Sequence, residues 1–212
     1  MKDSLHPAGA RLNALLTEAG LEGLGAVEEQ RFEDYLSLIL RWNSRMSLTA
    51  IRDEEGILSR HFVESIACAR ALPGGIHTLL DFGSGAGLPG IPIALCRPEI
   101  TVTLSESQGK KAAFLQEAVR VVGISAKVHA SRAEELGIAF DCVVLRAVER
   151  MPRAVEAATR LVRPAGWLAL MATGVSAAVL HAAAGPGFSW DAPVLLPGGI
   201  NRQFSLGQRV SS

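Results

Sequence analysis

The apolar residues in the first third of the chain recur at the spacing of amphipathic helices. Leu12, Leu15 and Leu16 fall on one face of a short helix. A longer helix follows, and the residues on its apolar face are Phe32, Tyr35, Leu36, Ile39 and Met46. The pattern therefore predicts that the chain begins with helices that each bury one side.

This helical pattern is interrupted once and then ends at a clear boundary. Residues 48–51 break the periodicity, and Asp53 is well placed to cap a third helix. The apolar positions of that helix are Ile57, Leu58, Phe62, Ile66 and Ala67. A Pro-Gly-Gly sequence at 73–75 ends the segment. We therefore predict an N-terminal helical extension over residues 1–74, packed on a second unit formed by residues 75–212.

From residue 76 onward, short apolar runs alternate with helical patterns. The runs predict strands at 78–82, 101–104, 126–129, 141–145 and 167–171, the last after a turn at 164–166. Helices are predicted at 89–97, 110–122 and 151–162. The weaker pattern after Gly174 predicts a helix at 175–184 and strands near 192–196 and 202–206. Repeated β–α units predict an α/β, Rossmann-like fold with a mostly parallel sheet flanked by helices.

Composition excludes several classes of protein. The chain has 212 residues, 49% of them apolar, and no apolar run reaches the roughly 18 residues of a membrane helix. Residues 1–7 lack the apolar stretch of a signal peptide. Cys68, Cys96 and Cys142 lie far apart without C-x-x-C spacing, which favours reduced, buried thiols over disulfides or metal ligands. We therefore expect a cytoplasmic protein that contacts no membrane and holds no metal.

The most informative motif is the glycine-rich sequence D-F-G-S-G-A-G-L-P-G at 81–90, between a predicted strand and a predicted helix. Glycines at this position let the backbone turn sharply and approach a ligand closely. The spacing G-x-G-x-G, with an acid two residues before it, is typical of proteins that bind S-adenosylmethionine (SAM). A dinucleotide site would read G-x-G-x-x-G. A strand–helix turn without any cofactor is the alternative interpretation.

Residues that follow the other strands extend this candidate site, because ligands of parallel sheets bind beyond the carboxyl ends of the strands. Glu106 follows the second strand, where an acid would bind ribose hydroxyls. Ala133 and Glu134 follow the third strand and would reach the adenine edge, or they simply start a helical turn. Arg146 ends the fourth strand, where a buried arginine is costly unless it is paired or faces a site.

Motifs that are absent from the sequence narrow the chemistry. No N/D-P-P-Y/F sequence follows the fourth strand, which disfavours amino methylation of adenine or cytosine. No Pro-Cys dipeptide is present, which disfavours a covalent cysteine mechanism at pyrimidine C5. The chain also lacks H-E-x-x-H, G-x-S-x-G and G-x-x-x-x-G-K-[ST], so zincins, nucleophile-elbow hydrolases and P-loop enzymes are disfavoured.

Basic residues are clustered although the formal net charge is zero. A neutral total argues mildly against a nucleic-acid-binding protein, but a basic rim around a site can still hold phosphates. Ordinary solvated helix faces are the alternative interpretation of these clusters. The residues predicted to bind RNA are Arg41, Arg45, Arg52, Arg60, Lys110 and Lys111.

Several stretches together resemble one known family. They are 43–53 (N-S-R-M-S-L-T-A-I-R-D), 60–65 (R-H-F-V-E-S), 81–92 (D-F-G-S-G-A-G-L-P-G-I-P), 107–111 (S-Q-G-K-K), 131–135 (S-R-A-E-E) and 146–147 (R-A). In this order, over about residues 30 to 172, the chain resembles the bacterial 16S ribosomal RNA guanine-N7 methyltransferases, also called the glucose-inhibited division protein B family.

The resemblance implies a SAM-dependent enzyme that methylates N7 of guanine 527 in the 530 loop of 16S rRNA. It implies a monomer that acts on 16S rRNA or on the 30S subunit. By matching positions, the resemblance implies cofactor contacts at Gly83, Leu88, Ala133, Glu134 and Arg146, with Glu106 at the position of a family Asp. The glycine-rich motif adds Asp81, Gly85 and Gly87 to the predicted cofactor-binding residues. Arg146 is also the residue expected to act in catalysis, as part of the guanine pocket. Because guanine N7 carries a free lone pair, the reaction needs alignment and no general base.

The chain departs from the family pattern at three places. Glu106 stands where the family commonly has Asp, Ala172-Thr173-Gly174 stands where it has Lys-Gly, and Asn201-Arg202-Gln203-Phe204 replaces an E-R-H-like stretch. Alternative functions are a SAM-dependent methyltransferase of a small molecule, a nicotinamide-dependent dehydrogenase and a non-enzymatic RNA-binding module. The first shares the cofactor residues, and the second requires a different glycine spacing.

Overall fold

The computed structural model describes residues 8–173, 175–198 and 202–210. The α-helices are α1 (Ala8–Glu18), α2 (Ala26–Asn43), α3 (Glu54–Gly56), α4 (Val63–Ala71), α5 (Gly90–Cys96), α6 (Gly109–Val122), α7 (Met151–Thr159) and α8 (Ala177–Ala184). A π-helical turn, Ile57–Phe62, joins α3 to α4, and a 3₁₀ helix spans Ala133–Leu136. The strands are β1 (Thr78–Phe82), β2 (Thr101–Ser105), β3 (Lys127–His129), β4 (Phe140–Arg146), β5 (Val162–Thr173), β6 (Phe188–Trp190), β7 (Val194–Leu195) and β8 (Arg202–Arg209).

The strands form one mostly parallel sheet in the order β3-β2-β1-β4-β5-β8-β6, with β7 paired to β8. Strands β1 to β5 pair in parallel, and β8 runs antiparallel to β5. The strand order reverses between β1 and β4, which is where open α/β sheets bind their ligands. The predicted α/β fold with a mostly parallel sheet is confirmed.

Alternate residues of each strand enter two different cores, as the period of a strand requires. Leu79 and Val144 belong to a core shared with α5, α6 and the N-terminal helices. Leu80 and Val143 belong to a second core, which α7 and α8 cover. The helical extension therefore packs on one face of the sheet and is part of the main core.

Helices form in the extension where its apolar periodicity predicts them, but α2 ends at Asn43, so Met46 lies beyond the helix to which it was assigned. Leu12, Leu16, Phe32, Tyr35 and Ile39 are almost completely buried. Asp53 caps α3, because its Oδ1 accepts a hydrogen bond from Gly56 N at 2.7 Å. The three cysteines are free thiols, with Cys68 and Cys142 buried and Cys96 half-buried.

The later elements differ from their predicted bounds. Strand β5 begins at Val162 because Val162 pairs with Phe140, so α7 ends at Thr159 instead of reaching residue 162. The predicted turn at 164–166 is an irregularity within this strand, and Ala165 has a φ of 58° there. Strand β6 was not predicted, whereas β7 and β8 lie where late strands were expected.

Candidate active site

The glycine-rich turn between β1 and α5 has a shape that requires glycine. Gly83 and Gly87 adopt φ angles of 72° and 82°, which residues with a side chain rarely adopt. A Cβ at Gly87 would lie 2.5 Å from Ile91 Cδ1 and 3.0 Å from Tyr35 Oη. At Gly85, by contrast, the nearest atom would be 3.9 Å away. The turn is therefore tightly packed at its helix end and open at Gly85, where a ligand has room to approach.

The N-terminal extension supports this turn directly. Tyr35 of α2 is fully buried, and its hydroxyl donates a hydrogen bond to the carbonyl oxygen of Ala86. The Tyr35 ring stacks on Phe62 with ring centroids 5.2 Å apart. Tyr35 of α2 thus contacts the glycine turn directly, and Phe62 from the second helical segment packs against Tyr35.

Asp81 lies beneath the turn and out of contact with solvent. Its side chain is 1% exposed, and Oδ2 accepts a hydrogen bond from Gly90 N at 3.0 Å. Burial raises the pKa of this carboxyl to about 7, against the opposing effect of the Gly90 hydrogen bond. The structure therefore gives Asp81 a role in holding the turn to α5.

A cavity of about 460 Å³ opens where β1 to β4 end, at the carboxyl edge of the sheet. Its size lies within the range of about 300–1,000 Å³ that is typical of ligand sites. Its lining consists of Phe82, Gly83, Ser105, Glu106, Ser107, Ser131, Arg132, Ala133, Glu134, Val148, Glu149, Arg150, Arg153 and Ala154.

The structure brings some of the predicted cofactor residues together around this cavity and leaves others apart. Gly83, Glu106, Ala133 and Glu134 line it. The predicted residues that are not in its lining are Asp81, Gly85, Gly87, Leu88 and Arg146. All of these except Arg146 belong to the glycine turn or to the end of the strand beneath it.

Glu106 links the ends of β1 and β2. Its side chain is buried, with Oε2 accepting from Gly85 N at 3.0 Å and Oε1 accepting from Gln108 N at 2.8 Å. A carboxylate offers about four acceptor positions, so these two bonds leave capacity for hydroxyl donors. Glu106 thus has the position and the chemistry expected for a ribose-binding acid.

Ala133 and Glu134 begin the 3₁₀ helix that follows β3, which agrees with the alternative interpretation as the start of a helical turn. Ala133 is buried and Glu134 is exposed. Ser105 Oγ donates to the Ser131 carbonyl oxygen at 3.0 Å, which ties this loop to the end of β2. The loop therefore closes one side of the cavity.

Arg146 is not among the residues that line the cavity, and it binds the N-terminal extension. Its Nη2 lies 2.7 Å from Glu64 Oε2, and its Nη1 donates to Ser65 Oγ at 3.0 Å. The same guanidinium donates to the carbonyl oxygen of Arg60 at 2.7 Å. The other Glu64 oxygen accepts from Arg202 Nη1, so two arginines share one buried carboxylate.

His61 completes this cluster as a neutral side chain. Burial and the nearby charge of Arg146 lower the pKa of His61 to about 3. Since arginine can only donate, His61 Nδ1 accepts from Arg146 Nη2 at 3.0 Å. Nε2 then carries the proton and donates to Thr49 Oγ1 at 2.6 Å. The cluster therefore joins residues from three of the sequence stretches quoted above.

The backbone just after β4 is unusual. Ala147 and Arg150 have φ angles of 50° and 53°, which non-glycine residues seldom adopt. Such conformations persist where the surrounding structure imposes them, and they concentrate at functional sites. Val148, Glu149 and Arg150 line the cavity, so the strained segment forms part of its wall.

Of the residues predicted to bind RNA, Arg41, Arg45 and Lys110 line a second cavity between α2 and α6. Arg52 and Arg60 are exposed elsewhere on the extension, and Lys111 is half-exposed in the first turn of α6. These side chains are exposed or half-exposed, as phosphate binding requires, but they are spread over the surface and do not form one patch.

Sequence reasoning missed several residues of the site. Glu64 and Thr49 lie within the quoted stretches but were given no role, and Arg202 was noted only as a departure. Arg132 of the cavity wall lies in a quoted stretch but was also given no role, whereas Arg153 belongs to a basic cluster after β4 that the sequence does show. Of the other departures, Gly174, Asn201 and the Thr173 side chain lie outside the described residues.

The site fits the cofactor that the glycine spacing indicates. The open space at Gly85, the buried acid Glu106 and the short loop at Ala133 surround a cavity large enough for a nucleoside. Fold and site together define the class of SAM-dependent methyltransferases.

Solved structures support this fold: a methyltransferase from Pyrococcus furiosus has a TM-score of 0.60 at 13% identity, over 85% of this chain and 98% of the other. TrmN from Thermus thermophilus has a TM-score of 0.55 at 21% identity, over 72% of this chain and 53% of the other.

Sequence comparisons identify the family within this class to which the chain belongs. Residues 28–182 match the family model GidB, described as rRNA small subunit methyltransferase G. Ribosomal RNA small subunit methyltransferase G of Stenotrophomonas maltophilia is 43% identical over 173 residues, which cover 79% of this chain and 80% of the relative. The protein of that name from Xanthomonas euvesicatoria is 43% identical over 140 residues, or 65% of each chain. The chain therefore belongs to the rRNA small subunit methyltransferase G family, and it is a SAM-dependent enzyme.

Proposed function

We propose that this enzyme methylates N7 of guanine 527 in the 530 loop of 16S rRNA. The observation that carries the proposal is one hydrogen-bonded cluster that joins Arg146 to two stretches of the N-terminal extension. Thr49, His61 and Ser65 come from the N-terminal extension, and Arg146 ends β4 beside the cavity wall. A methyltransferase of small molecules would share the cofactor cavity but would not need this signature.

The cofactor, when bound, supplies an electrophilic methyl group on a sulfonium. We assign Asp81 and the glycines of the turn to shaping its site, and Gly83, Leu88, Glu106, Ala133 and Glu134 to contacting it. Guanine N7 attacks with its own lone pair, so the protein needs only to align the two reactants.

Arg146 is our candidate for the residue that contacts both cofactor and acceptor guanine. Among the hydrogen bonds of the described residues, those of Arg146 use Nη1 and Nη2 and leave its Nε–H unused. Glu64 and Ser65 fix the guanidinium, so this donor is presented from a rigid group. Acceptor recognition by a preorganised donor would supply orientation without any proton transfer.

We propose that phosphates of the RNA bind the exposed cations Arg41, Arg45, Arg52, Arg60, Lys110 and Lys111. The substrate would be 16S rRNA or the 30S subunit, and the enzyme would act as a monomer in the cytoplasm. Within the described residues, no helix has both the length and the apolarity that crossing a membrane requires.

The test is transfer of labelled methyl from SAM to 30S subunits and to 16S rRNA that lack the modification, with mapping by cleavage at N7-methylguanine. We expect label at one guanine of the 530 loop. Gly83→Asp should abolish it, because Gly83 lines the cavity with a φ of 72°. Gly74→Asp is the matched control, since a Cβ there meets nothing within 4 Å. SAM binding without label in either RNA substrate would contradict the proposal.

A further inference from the structure

A second cavity of about 510 Å³ lies between the end of α2 and the start of α6, and it shares no lining residue with the first. It has the size of a ligand site rather than of a packing defect. Its lining residues are Arg41, Trp42, Arg45, Met46, Lys110 and Glu117.

Trp42 gives this cavity a fixed aromatic surface. The indole packs edge-on against buried Phe114, with ring centroids 5.6 Å apart and an interplanar angle of 74°. Its Nε1–H donates to Glu117 Oε2 at 2.8 Å, which sets the orientation of the ring. Because Trp42 remains half-exposed, part of the indole is available to a ligand.

The charges around the indole favour an anion. Arg41 forms an ion pair with Glu117. Arg45 and Lys110 are both exposed, and neither forms an ion pair with any other described residue. The cavity therefore combines an oriented aromatic side chain and a methionine with two cations free to bind. An aromatic base that carries a phosphate matches both features.

We propose that this cavity holds an unpaired nucleotide of the RNA substrate, with its base stacked on Trp42 and its phosphate bound by Arg45 and Lys110. This inference rests on the proposed function. The nucleotide is not the methyl acceptor, because the cavity is separate from the cofactor cavity. It lies close to that cavity along the chain, since Lys110 follows Glu106 after only three intervening residues.

The test compares RNA binding by Trp42→Ala, Trp42→Phe and Arg45→Ala with binding by Arg120→Ala, which removes an exposed arginine in the last turn of α6, outside the cavity. Binding of a 530-loop RNA and of 30S subunits is measured in the presence of S-adenosylhomocysteine. Losing a base stack should raise the RNA dissociation constant about tenfold for Trp42→Ala. Trp42→Phe should stay within about threefold because it keeps an aromatic face, and Arg120→Ala should match the parent.

Two further measurements separate stacking from a structural role of Trp42. The melting temperature and the dissociation constant for SAM should be similar in Trp42→Phe and the parent. Ultraviolet crosslinking of RNA that contains 5-iodouridine should yield an adduct on the peptide that contains Trp42. An adduct elsewhere, together with unchanged RNA binding by Trp42→Ala and Arg45→Ala, would overturn the inference.

The outcomes distinguish this inference from the proposed function. Methyl transfer to the 530 loop with no contribution from Trp42 or Arg45 would refute the cavity assignment alone. Absence of transfer to any rRNA would refute the proposed function. Binding of free guanosine monophosphate that depends on Trp42, without an effect of Trp42→Ala on RNA binding, would also overturn the inference, because the cavity would then serve a free nucleotide.

Discussion

The carboxyl group of Asp81 has a raised pKa and also holds the glycine turn in place. It is buried, which raises its pKa to about 7, and it accepts a hydrogen bond from Gly90 N at the start of α5. Gly90 itself has no room for a side chain, since a Cβ would lie 2.6 Å from Asp81 Oδ2. The contact between Asp81 and Gly90 is therefore too close to accept a side chain at residue 90.

This pKa makes the stability of the protein depend on pH at Asp81. A folded-state pKa raised above the unfolded value means that the folded state binds more protons between about pH 4 and pH 7, so stability falls as pH rises through that range. Asp81→Asn lacks this effect. We expect the unfolding free energies of the two proteins to shift relative to each other by about 1.4 kcal/mol per pH unit, in favour of the variant as pH rises.

Urea denaturation at several pH values between 4 and 7 measures this difference. A constant difference across the range would show that Asp81 titrates normally and would contradict the assigned pKa. Asp34 on α2 offers a control substitution, because it is not buried and its only side-chain hydrogen bond among the described residues is with Gln30.

At the scale of elements, Glu64 joins three parts of the fold. It lies at the start of α4, it binds Arg146 at the end of β4, and it binds Arg202 at the start of β8. Its side chain is almost completely buried, and burial raises the pKa of the carboxyl against the opposing effect of the arginines. A buried carboxylate that two cations share is costly to remove on its own.

We expect Glu64→Ala to lower the free energy of unfolding by about 3–5 kcal/mol, because two buried guanidinium groups lose their partner. Removal of an exposed ion pair is the control: Glu99→Ala, which breaks the pair with Arg97, should cost at most about 1 kcal/mol. Chemical denaturation at pH 7 measures both. Equal small effects would show that solvent reaches the Glu64 cluster.

The elements also show what the sequence can and cannot predict. Helices α1, α2 and α6 were predicted because their apolar periodicity is long, and β1, β2 and β4 because each is a compact apolar run. Strand β6 was missed because its three residues pair only with β8, where Gly207 leaves room for Trp190; a Cβ there would lie 2.7 Å from the Trp190 ring. Such pairing depends on tertiary contacts, which local patterns do not contain.

The residues of the site show the same difference between what local sequence patterns predict and what depends on tertiary contacts. Gly83, Glu106 and Ala133 were found because a parallel sheet places the residues after its strands at one edge. The pairing of Glu64 with Arg202 spans 138 positions, and nothing near either residue indicates the other. Arg146 was correctly expected to be paired or to face a site, but its partners could be identified only from the packing of the extension.

At the scale of the whole molecule, a net charge of zero conceals an uneven distribution. Arg52, Arg60 and Lys111 form no ion pair with any other described residue, so their charges remain available to a polyanion. Binding of RNA through such contacts releases counterions, and its dependence on salt counts the phosphates that are neutralised.

We therefore expect RNA affinity to fall with salt, and the variant Arg52→Ala/Arg60→Ala/Lys111→Ala to have a log–log slope shallower by about 2 to 3. RNA binding at a series of potassium chloride concentrations measures the slope. A triple variant at Arg31, Arg120 and Arg160, which lie outside the predicted set, is the control. Identical slopes for all three proteins would mean that Arg52, Arg60 and Lys111 do not contact RNA phosphates.

The hydrogen bond from Tyr35 to Ala86 has a consequence for the energetics of the whole enzyme. The turn that receives the cofactor and the helix that carries Arg41 and Trp42 are parts of one hydrogen-bonded assembly, so α2 cannot detach without loosening the turn. If a ligand stabilises the ordered turn, detaching α2 costs more free energy while the ligand is bound. Because such coupling is reciprocal, detachment of α2 would weaken binding of the ligand by the same free energy. We therefore expect a bound methyl donor to raise the free energy needed to detach the helix that carries Arg41 and Trp42.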